Sequence, residues 1–312
     1  MSGVAAYGAY GLTLTSDLPF PELPSSDGPP DLHVTWQTAR APLAGRWEVF
    51  WRASSGEVWM ALGRHGAMRE LRFPRYLSVR FNETAIVASR RGHAEWATVR
   101  HLFLDQSLPV VLALRGGLVL HASSVRVGEQ AVLLLGPSGA GKSTLAAMLG
   151  GRGSDVLADD GVLIRDGRNG PEAVPSYPGL RLFDDAAEVA GLPVEQVKRM
   201  AGYSRKRRYS VESSTGSALP LGPIYLLDTA AAPLAIQRVS IRDVAVQLLR
   251  YAFRAELSDR TRLAAEFEMV SRWAPRLDVW YLPHPRRLAE AGQVADALLA
   301  HARRRLTAPG NS

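Results

Sequence analysis

The feature that most restricts the fold of this chain is the octapeptide GPSGAGKS at residues 136–143, which fits the whole pattern G-x-x-x-x-G-K-[ST]. It follows the apolar run AVLLL at residues 131–135 and precedes STLAAML, a segment compatible with a helix. A strand, a glycine-rich turn and a helix in this order suit phosphate binding, because successive backbone N–H groups and the helix N-terminus then point at the anion. The chain is therefore expected to contain an α/β domain built around this loop.

The same motif assigns the residues that bind nucleotide. They are Gly136, Pro137, Ser138, Gly139, Ala140, Gly141, Lys142, Ser143 and Thr144. Lys142 is expected to reach the β- and γ-phosphates, and the Ser143 hydroxyl is expected to hold Mg²⁺. An ordinary glycine turn before a helix would require neither the lysine nor the serine.

Two adjacent aspartates follow the loop in the stretch DVLADDG at residues 155–161. A helix of about eight residues descends about 12 Å, and a strand over DVLAD returns about 16 Å, so the chain comes back to the level of the loop. If this strand runs parallel to AVLLL, Asp159 and Asp160 lie at the carboxyl edge of the sheet, where open α/β sheets bind ligands. One carboxylate can then serve the metal while the other meets a nucleophile. The alternative is a surface turn, since Asp-Asp-Gly is common turn chemistry.

A competing metal ligand, Asp228, ends the apolar run IYLLD at residues 224–228. The next residues are TAA, whereas an ATPase that activates water would place a glutamate there. The sequence also contains no LSGGQ-like signature and no guanine-binding NKxD motif. Transporter ATPases, AAA-type ATPases and GTPases are therefore disfavoured, and a strand-end cap is preferred to a metal ligand for Asp228.

The rest of the chain divides into a β-rich start and an alternating α/β part. Short strand-like runs with proline and glycine turns predict a small β-rich unit over residues 1–92. A helical pattern interrupted at Pro109 predicts a connecting helix over residues 93–115. Strand and helix signals then alternate, so residues 116–306 are expected to form an α/β domain with a mixed sheet, followed by a loose tail at residues 307–312.

Composition bears on the compartment and the partners. The chain has no cysteine, which suits a reducing compartment. Its start lacks the pattern of a signal peptide, and no apolar run is long enough for a membrane span. We therefore expect a cytoplasmic protein with no membrane partner. The net charge of +7 favours polyanionic partners without choosing among them, and nucleic acid is disfavoured because no nucleic-acid fold signature is present.

The stretches HASSV, GPSGAGKS and LADD resemble the catalytic domain of HPr kinase/phosphorylase and the HPr kinase-like proteins, a P-loop fold related to phosphoenolpyruvate carboxykinase. The resemblance covers about residues 117 to 165. It implies ATP as donor, Asp160 as the general base that takes the proton of a serine hydroxyl, and His121 as the electrostatic neighbour of that base. Lys142 would be the phosphate anchor, and we assign Ser143 and Asp159 to Mg²⁺.

The chain also departs from that family. The family's metal-binding glutamate, in an EIRGLG-like stretch, should fall near SYPGLRLFDD, which has no glutamate. Asp184 and Asp185 are candidate substitutes, and we expect a kinase without appreciable phosphorylase activity. The opening YGAYGLTLTSDLPFPEL and the later KRRY look like the HPr kinase-like proteins of ribosomal peptide pathways, including lasso peptides, where the implied activity is phosphorylation of a serine on a precursor peptide. Because the family forms hexamers, a homo-oligomer is an open option.

The basic run RKRRYS at residues 205–210 is expected to be a loop. It is either an ordinary solvated loop or a flexible clamp that supplies cations to the γ-phosphate or to an acidic peptide, with Lys206 and Arg208 the first choices. The leading hypothesis is an ATP- and Mg²⁺-dependent serine kinase acting on a protein or peptide, with the β-rich unit helping to dock the substrate. The alternatives are a kinase for a small-molecule alcohol and a nucleotide-gated binding protein that does not turn over.

Overall fold

The computed structural model describes most of the chain. The described ranges are residues 4–38, 46–82, 85–193, 197–211, 217–229, 233–254, 259–285 and 287–307. They form mixed α/β structure with an eight-stranded sheet, a nine-stranded sheet and a three-stranded sheet. Of the predicted tail, residues 308–312 lie outside the described residues, and Thr307 ends the last helix.

The eight-stranded sheet forms the N-terminal β-rich region. Its strands are β1 Ala5–Ala9, β2 Leu12–Ser16, β3 Leu32–Thr38, β4 Arg46–Arg52, β5 Val58–His65, β6 Met68–Phe73, β7 Leu77–Phe81 and β8 Ala85–Arg90. They are ordered β1-β2-β3-β8-β7-β6-β5-β4. The chain turns between β1 and β2 at Tyr10 and Gly11, whose φ angles are 54° and 67°. This tight turn between β1 and β2 points toward the α/β part of the molecule, because the Tyr10 N–H donates to the carbonyl of Ser176 at 3.1 Å.

The connecting helix is built in three pieces. They are α1 Trp96–Leu102, a π-helical turn Phe103–Ser107 and α2 Leu108–Leu114. The predicted interruption at Pro109 is therefore a wider turn just before the proline, which has no N–H to donate to the carbonyl of Asp105 four residues earlier. The side chain of Asp105 is only 3% exposed, and π-helical turns of this kind often occur at functional sites.

The C-terminal part contains the other two sheets. Its strands are β9 Leu118–Leu120, β10 Ala122–Val127, β11 Gln130–Leu135, β12 Asp155–Ala158, β13 Val162–Gly167, β14 Gly170–Pro175, β15 Leu180–Leu182, β16 Val197–Arg199, β17 Arg207–Tyr209, β18 Leu219–Asp228, β19 Gln237–Arg238 and β20 Val279–Pro283. The larger sheet is ordered β12-β10-β11-β18-β14-β13-β9, with β20 paired to β18 and β19. Strand β18 is parallel to β11 and β20, and the other pairings are antiparallel, so the predicted mixed sheet is confirmed.

The chain returns to the glycine-rich loop in the predicted direction, but β12 does not lie next to β11, because β10 lies between them. Strands β11 and β12 run the same way, because each pairs antiparallel with β10, which lies between them. The carboxyl ends of β11 and β12 therefore meet at one edge of the sheet. Strand β10 also brings Ser123 to the point where the loop and the aspartates approach each other.

Helices cover both faces of this sheet. They are α3 Lys142–Gly150, α4 Asp184–Val189, α5 Ile241–Arg250, α6 Arg260–Trp273 and α7 Ala291–Thr307. Along β11, Val132 and Leu134 belong to a buried cluster with α3 and α7, whereas Leu133 and Leu135 belong to a cluster with α5 and α6. Burial on both faces explains why this strand is apolar throughout. Within the described ranges, no helix combines the length and apolar character needed to cross a membrane.

The N-terminal sheet and the C-terminal part share a buried core. Tyr10, Leu71 and Phe103 pack in the same cluster as Val119 of β9 and Tyr177, which precedes β15. The N-terminal region is therefore in direct contact with the part of the chain that carries the aspartate pair.

Candidate active site

The glycine-rich loop joins β11 to α3 at the carboxyl edge of the sheet. Gly136, Pro137, Ser138, Gly139, Ala140 and Gly141 precede the helix, and Lys142, Ser143 and Thr144 begin it. Gly141 has a φ of 90°, a left-handed conformation that favours glycine, and it stands at the N-cap of α3. The Lys142 ammonium donates to the carbonyl of Gly136 at 2.9 Å and to that of Pro137 at 3.3 Å. The lysine thus folds over the loop, and its burial lowers the pKa of the ammonium.

Asp159 is a fully buried carboxylate that faces the start of α3. Its Oδ1 accepts hydrogen bonds from the hydroxyls of Ser123 at 2.5 Å and Ser143 at 3.0 Å. Its Oδ2 accepts from the backbone N–H of Arg181 at 2.9 Å. Burial raises the pKa of Asp159, and the negative charge of Asp160 raises it further. The structure thus brings together Ser143 and Asp159, the two residues assigned to the metal from the sequence.

Asp160 has different surroundings from its neighbour. It is partly exposed and has a φ of 73°, which is unusual for a residue other than glycine. Its Oδ2 lies 3.2 Å from Nε of Arg181, and its Oδ1 lies 4.0 Å from Nε2 of His121. Burial raises the pKa of this carboxyl group, but Arg181 and His121 outweigh that effect and hold the pKa below its usual value. Asp160 is therefore ionised at neutral pH.

His121 occupies the break between β9 and β10. Its N–H donates to the carbonyl of Tyr251 at 2.7 Å, and its ring meets the edge of Phe253 with a centroid distance of 5.6 Å. Burial lowers the pKa of His121, and the negative charge of Asp160 opposes this effect. The 4.0 Å separation from Asp160 is longer than a hydrogen bond. The structure thus brings the two predicted neighbours together, with their side chains too far apart for a hydrogen bond between Nε2 and Oδ1.

Arg181, on β15, is the functional residue that the sequence interpretation missed. Its side chain is 1% exposed. Nη1 donates to the carbonyl of Asp159 at 2.6 Å, Nε lies 3.2 Å from Oδ2 of Asp160, and Nη2 donates to Oδ1 of Asp105 at 2.6 Å. A single arginine within the apolar stretch GLRLF was the available signal, because a fully buried charge requires partners.

The basic run is irregular at Arg205, Lys206 and Ser210, as predicted, but a short strand interrupts it. Residues Arg207–Tyr209 form β17, which pairs with β15 and β16. Arg208 is buried and donates to the buried carboxylate of Asp105 at 3.2 Å. Lys206 lies nearer the loop, with Nζ 5.6 Å from the ring centre of Phe183. Burial is the main cause of the lowered pKa of Lys142, and the positive charge of Lys206 adds to it.

A cavity of about 230 Å³ opens beside the glycine-rich loop. Ala140 and Thr144 lie on one side, and Phe183, Pro285 and Leu288 supply apolar surface on the other. His284 also lines this cavity and was not predicted. Its ring Nε2 lies 3.2 Å from the carbonyl of Ala140, at a position reached directly from the end of β20. The HP pair after the apolar run VWYL could have indicated a residue at the strand end facing the site.

The other acidic candidates have different positions. Asp184 forms an ion pair with Arg207 at 2.8 Å, and Asp185 lines the cavity beside the loop. Asp228 is exposed at the end of β18, where its carbonyl accepts the N–H of His284 at 2.9 Å. Within the described residues, no cluster of three or more His, Asp or Glu side chains is arranged to hold a metal alone. The donor pair formed by Ser143 and Asp159 is thus the best placed for a cation that also binds phosphate.

Comparisons with known proteins give partial similarity. No protein-family model matches the chain. HPr kinase/phosphorylase from Chlorobium phaeovibrioides and that from Chlorobium limicola are each 42% identical to it over 82 residues, which is 26% of this chain and 24% of each relative. The match therefore spans about a quarter of the length of these curated relatives. A solved structure of the Hpr(Ser) kinase/phosphatase from Coxiella burnetii has a TM-score of 0.32 and 11% identity, and the alignment covers 60% of this chain and 97% of that one. The resemblance to HPr kinase/phosphorylase read from the motifs is confirmed over the matched segment.

Proposed function

We propose that this chain is an ATP- and Mg²⁺-dependent kinase that transfers the γ-phosphate to a serine hydroxyl of a protein or peptide, with residues 116–306 as a P-loop kinase domain. The observation that carries the proposal is the 3.0 Å hydrogen bond between Ser143 and Asp159, with Lys142 and Asp160 as their immediate chain neighbours. A phosphate loop, a cation-binding pair and a candidate base thus lie at one edge of the sheet. The similarity to proteins named HPr kinase/phosphorylase supports the same class of reaction.

The residues at this edge fit Mg²⁺. This cation is commonly held by one or two protein oxygens together with substrate phosphates and water, rather than by a complete protein cage. Ser143 offers a hydroxyl and Asp159 a carboxylate, and these groups already lie within hydrogen-bonding distance of each other. When bound, Mg²⁺ would neutralise charge on the phosphates of the donor.

The surroundings of Asp159 and Asp160 suit them to different roles in the proposed reaction. Three donors and full burial fix Asp159 in place, which suits a metal ligand. Asp160 is partly exposed and ionised, so it can accept the proton of an approaching serine hydroxyl. A base placed in this way typically adds ~10² to 10⁴ in rate. His121 supplies an electrostatic neighbour at 4.0 Å.

The donor would bind along the loop. Lys142 would exchange its contacts with the loop carbonyls for the β- and γ-phosphates, and the backbone N–H groups at the start of α3 would face the same anion. The cavity of about 230 Å³ next to Thr144 is assigned to the nucleoside part of ATP. Lys206, rather than Arg208, is the better candidate for a cation that approaches the transferred phosphate.

The acceptor is proposed to be a serine on a ribosomal precursor peptide, of the kind modified in lasso-peptide pathways. A net charge of +7 suits an acidic peptide. In this proposal the N-terminal region, residues 1–92, helps to dock the peptide, the reaction takes place in the cytoplasm, and phosphorylase activity is negligible. Assembly as a homo-oligomer is compatible with this function.

The proposal is tested by incubating the protein with γ-labelled ATP, Mg²⁺ and candidate precursor peptides. Label on a serine, absent when that serine is replaced by alanine, is the expected result. Label only on small metabolites would instead indicate a small-molecule alcohol kinase. Tight ATP binding without transfer to any acceptor, unchanged by Asp160→Asn, would indicate a nucleotide-gated binding protein.

A further inference from the structure

The N-terminal region and the connecting helix each contact the segment around the aspartate pair at one point. The turn between β1 and β2 places Tyr10, which is 2% exposed, against Gly161, so closely that a Cβ at Gly161 would overlap the tyrosine hydroxyl. Ser176 ties the same two segments together, because its N–H donates to the carbonyl of Gly161 at 3.3 Å and its carbonyl accepts the N–H of Tyr10 at 3.1 Å. The turn that carries Asp160 is therefore packed directly against the N-terminal sheet.

The second point is Asp105, in the π-helical turn between α1 and α2. Its carboxylate accepts hydrogen bonds from Arg181 at 2.6 Å and from Arg208 at 3.2 Å, and it contacts the ring Nδ1 of His101 at 2.6 Å. The Tyr177 hydroxyl donates to the same carboxylate. All these partners are buried, and Asp105 holds the Arg181 guanidinium with two hydrogen bonds, from Nε at 3.2 Å and from Nη2 at 2.6 Å.

The shape of the Arg181 side chain allows it to contact Asp105 and the aspartate pair at the same time. The guanidinium is planar and has five N–H donors that point in fixed directions. Nε and Nη2 donate to the two carboxylate oxygens of Asp105, and Nη1 donates to the Asp159 carbonyl. Nε also lies 3.2 Å from Oδ2 of Asp160, which forms an ion pair with the guanidinium. A lysine ammonium is a single point on a flexible stem and cannot bridge these groups in the same way.

We propose that Arg181 is a positioning residue for Asp160 and that the N-terminal region, through Tyr10, and the connecting helix, through Asp105, complete the kinase site by fixing the turn at residues 159–161 and Arg181. This inference rests on the proposed function, since it assigns a role in the same reaction. It gives the N-terminal region a part in organising the catalytic carboxylates, in addition to any docking of substrate.

The test uses the full-length protein with Arg181→Lys, Arg181→Met and Asp105→Asn. The controls are Arg305→Met and Asp278→Asn, because these residues form a partly exposed ion pair at 2.9 Å at the amino end of β20. We expect kcat for peptide phosphorylation to fall about tenfold to a hundredfold in all three site variants, since a misplacement of about 1 Å can cost that much. ATP affinity should stay within about twofold, because none of the three variants removes a residue of the phosphate loop. The controls should retain wild-type kcat.

A second measurement does not depend on activity. Hydrogen–deuterium exchange should become faster at residues 158–162 in Arg181→Lys and Asp105→Asn, while exchange in α3 stays as in the wild type. Arg181→Lys keeps the charge, so it remains informative if Arg181→Met does not fold. Wild-type kcat in folded site variants, or unchanged exchange at residues 158–162, would overturn the inference. If exchange at residues 158–162 is faster in the variants than in the wild type, but the wild-type protein phosphorylates no acceptor, the proposed function is refuted. The role of Arg181 and Asp105 in fixing the turn is then still supported.

Discussion

Replacing Gly161 with alanine should destabilise the protein, because the space beside this residue is filled by Tyr10. A Cβ at Gly161 would overlap the tyrosine hydroxyl and would lie 3.2 Å from Cζ, and Tyr10 is only 2% exposed. The ring cannot turn into solvent, so either the hairpin between β1 and β2 or the turn that carries Asp160 must move. Overpacking of this kind costs about 1–3 kcal/mol, and full burial places the expected value near about 2–3 kcal/mol. At about 2–4 °C per kcal/mol, the melting temperature should fall by about 4–12 °C.

The assay is thermal and urea unfolding of a double-mutant cycle with Tyr10→Phe. Removing the hydroxyl leaves Cζ as the nearest atom, at 3.2 Å, so Gly161→Ala should cost at least about 1 kcal/mol less in the Tyr10→Phe background. Gly151→Ala is the control, because Gly151 has a φ of −62° and its nearest neighbour to an added Cβ is at 3.6 Å. If Gly161→Ala costs no more than this control, or costs the same in both backgrounds, the contact between the N-terminal turn and the aspartate turn is refuted.

Three further predictions concern the proposed reaction. Lys142→Ala should abolish detectable transfer of label from γ-labelled ATP and weaken ATP binding measured by calorimetry, because the phosphate loop loses its ammonium; unchanged ATP affinity would contradict the anchor role. Asp160→Asn should lower kcat by about 10²–10⁴-fold at unchanged ATP affinity, since only proton acceptance is lost, and a variant with wild-type kcat would show that another group is the base. Chelation by EDTA should stop transfer, and Ser143→Ala should raise the Mg²⁺ concentration needed for half-maximal rate; an unaltered Mg²⁺ dependence would remove Ser143 from the metal site.

The segment from β11 to β12 could be predicted from the sequence because its signals are local. The apolar run of β11, the glycines of the loop and the helix-compatible start of α3 are contiguous, and their lengths set where the chain returns. The direction of β12 followed from those lengths. The intervening β10 did not, because a strand pairing is decided by contacts between segments far apart in the chain. As a result Ser123, which donates to Asp159, was overlooked.

Arg181 and Asp105 illustrate the limit of local patterns more clearly. Asp105 lies within a helical pattern, where a single carboxylate usually faces solvent, and only the π-helical turn before Pro109 directs it inward. Its partner Arg181 is more than seventy residues away in the chain. The arginine could have been marked as buried from its apolar neighbours, but the identity of its partner depends on the packing of the N-terminal sheet against the C-terminal part. The same packing places Arg208 in the interior, where it donates to Asp105.

Two adjacent aspartates beside a phosphate site pose an electrostatic problem, and the surroundings of the pair resolve it asymmetrically. Two negative charges on adjacent residues disfavour ionisation of both carboxyl groups. Burial raises the pKa of Asp159, and the negative charge of Asp160 raises it further. Arg181 and His121 instead hold the pKa of Asp160 below its usual value, against the effect of burial. A divalent cation at Asp159 would favour the ionised form of that carboxylate, whose pKa is raised, whereas Asp160 is ionised without a cation. In the proposed reaction Asp160 would therefore be ionised before the metal binds, and a metal bound together with the nucleotide would act on Asp159.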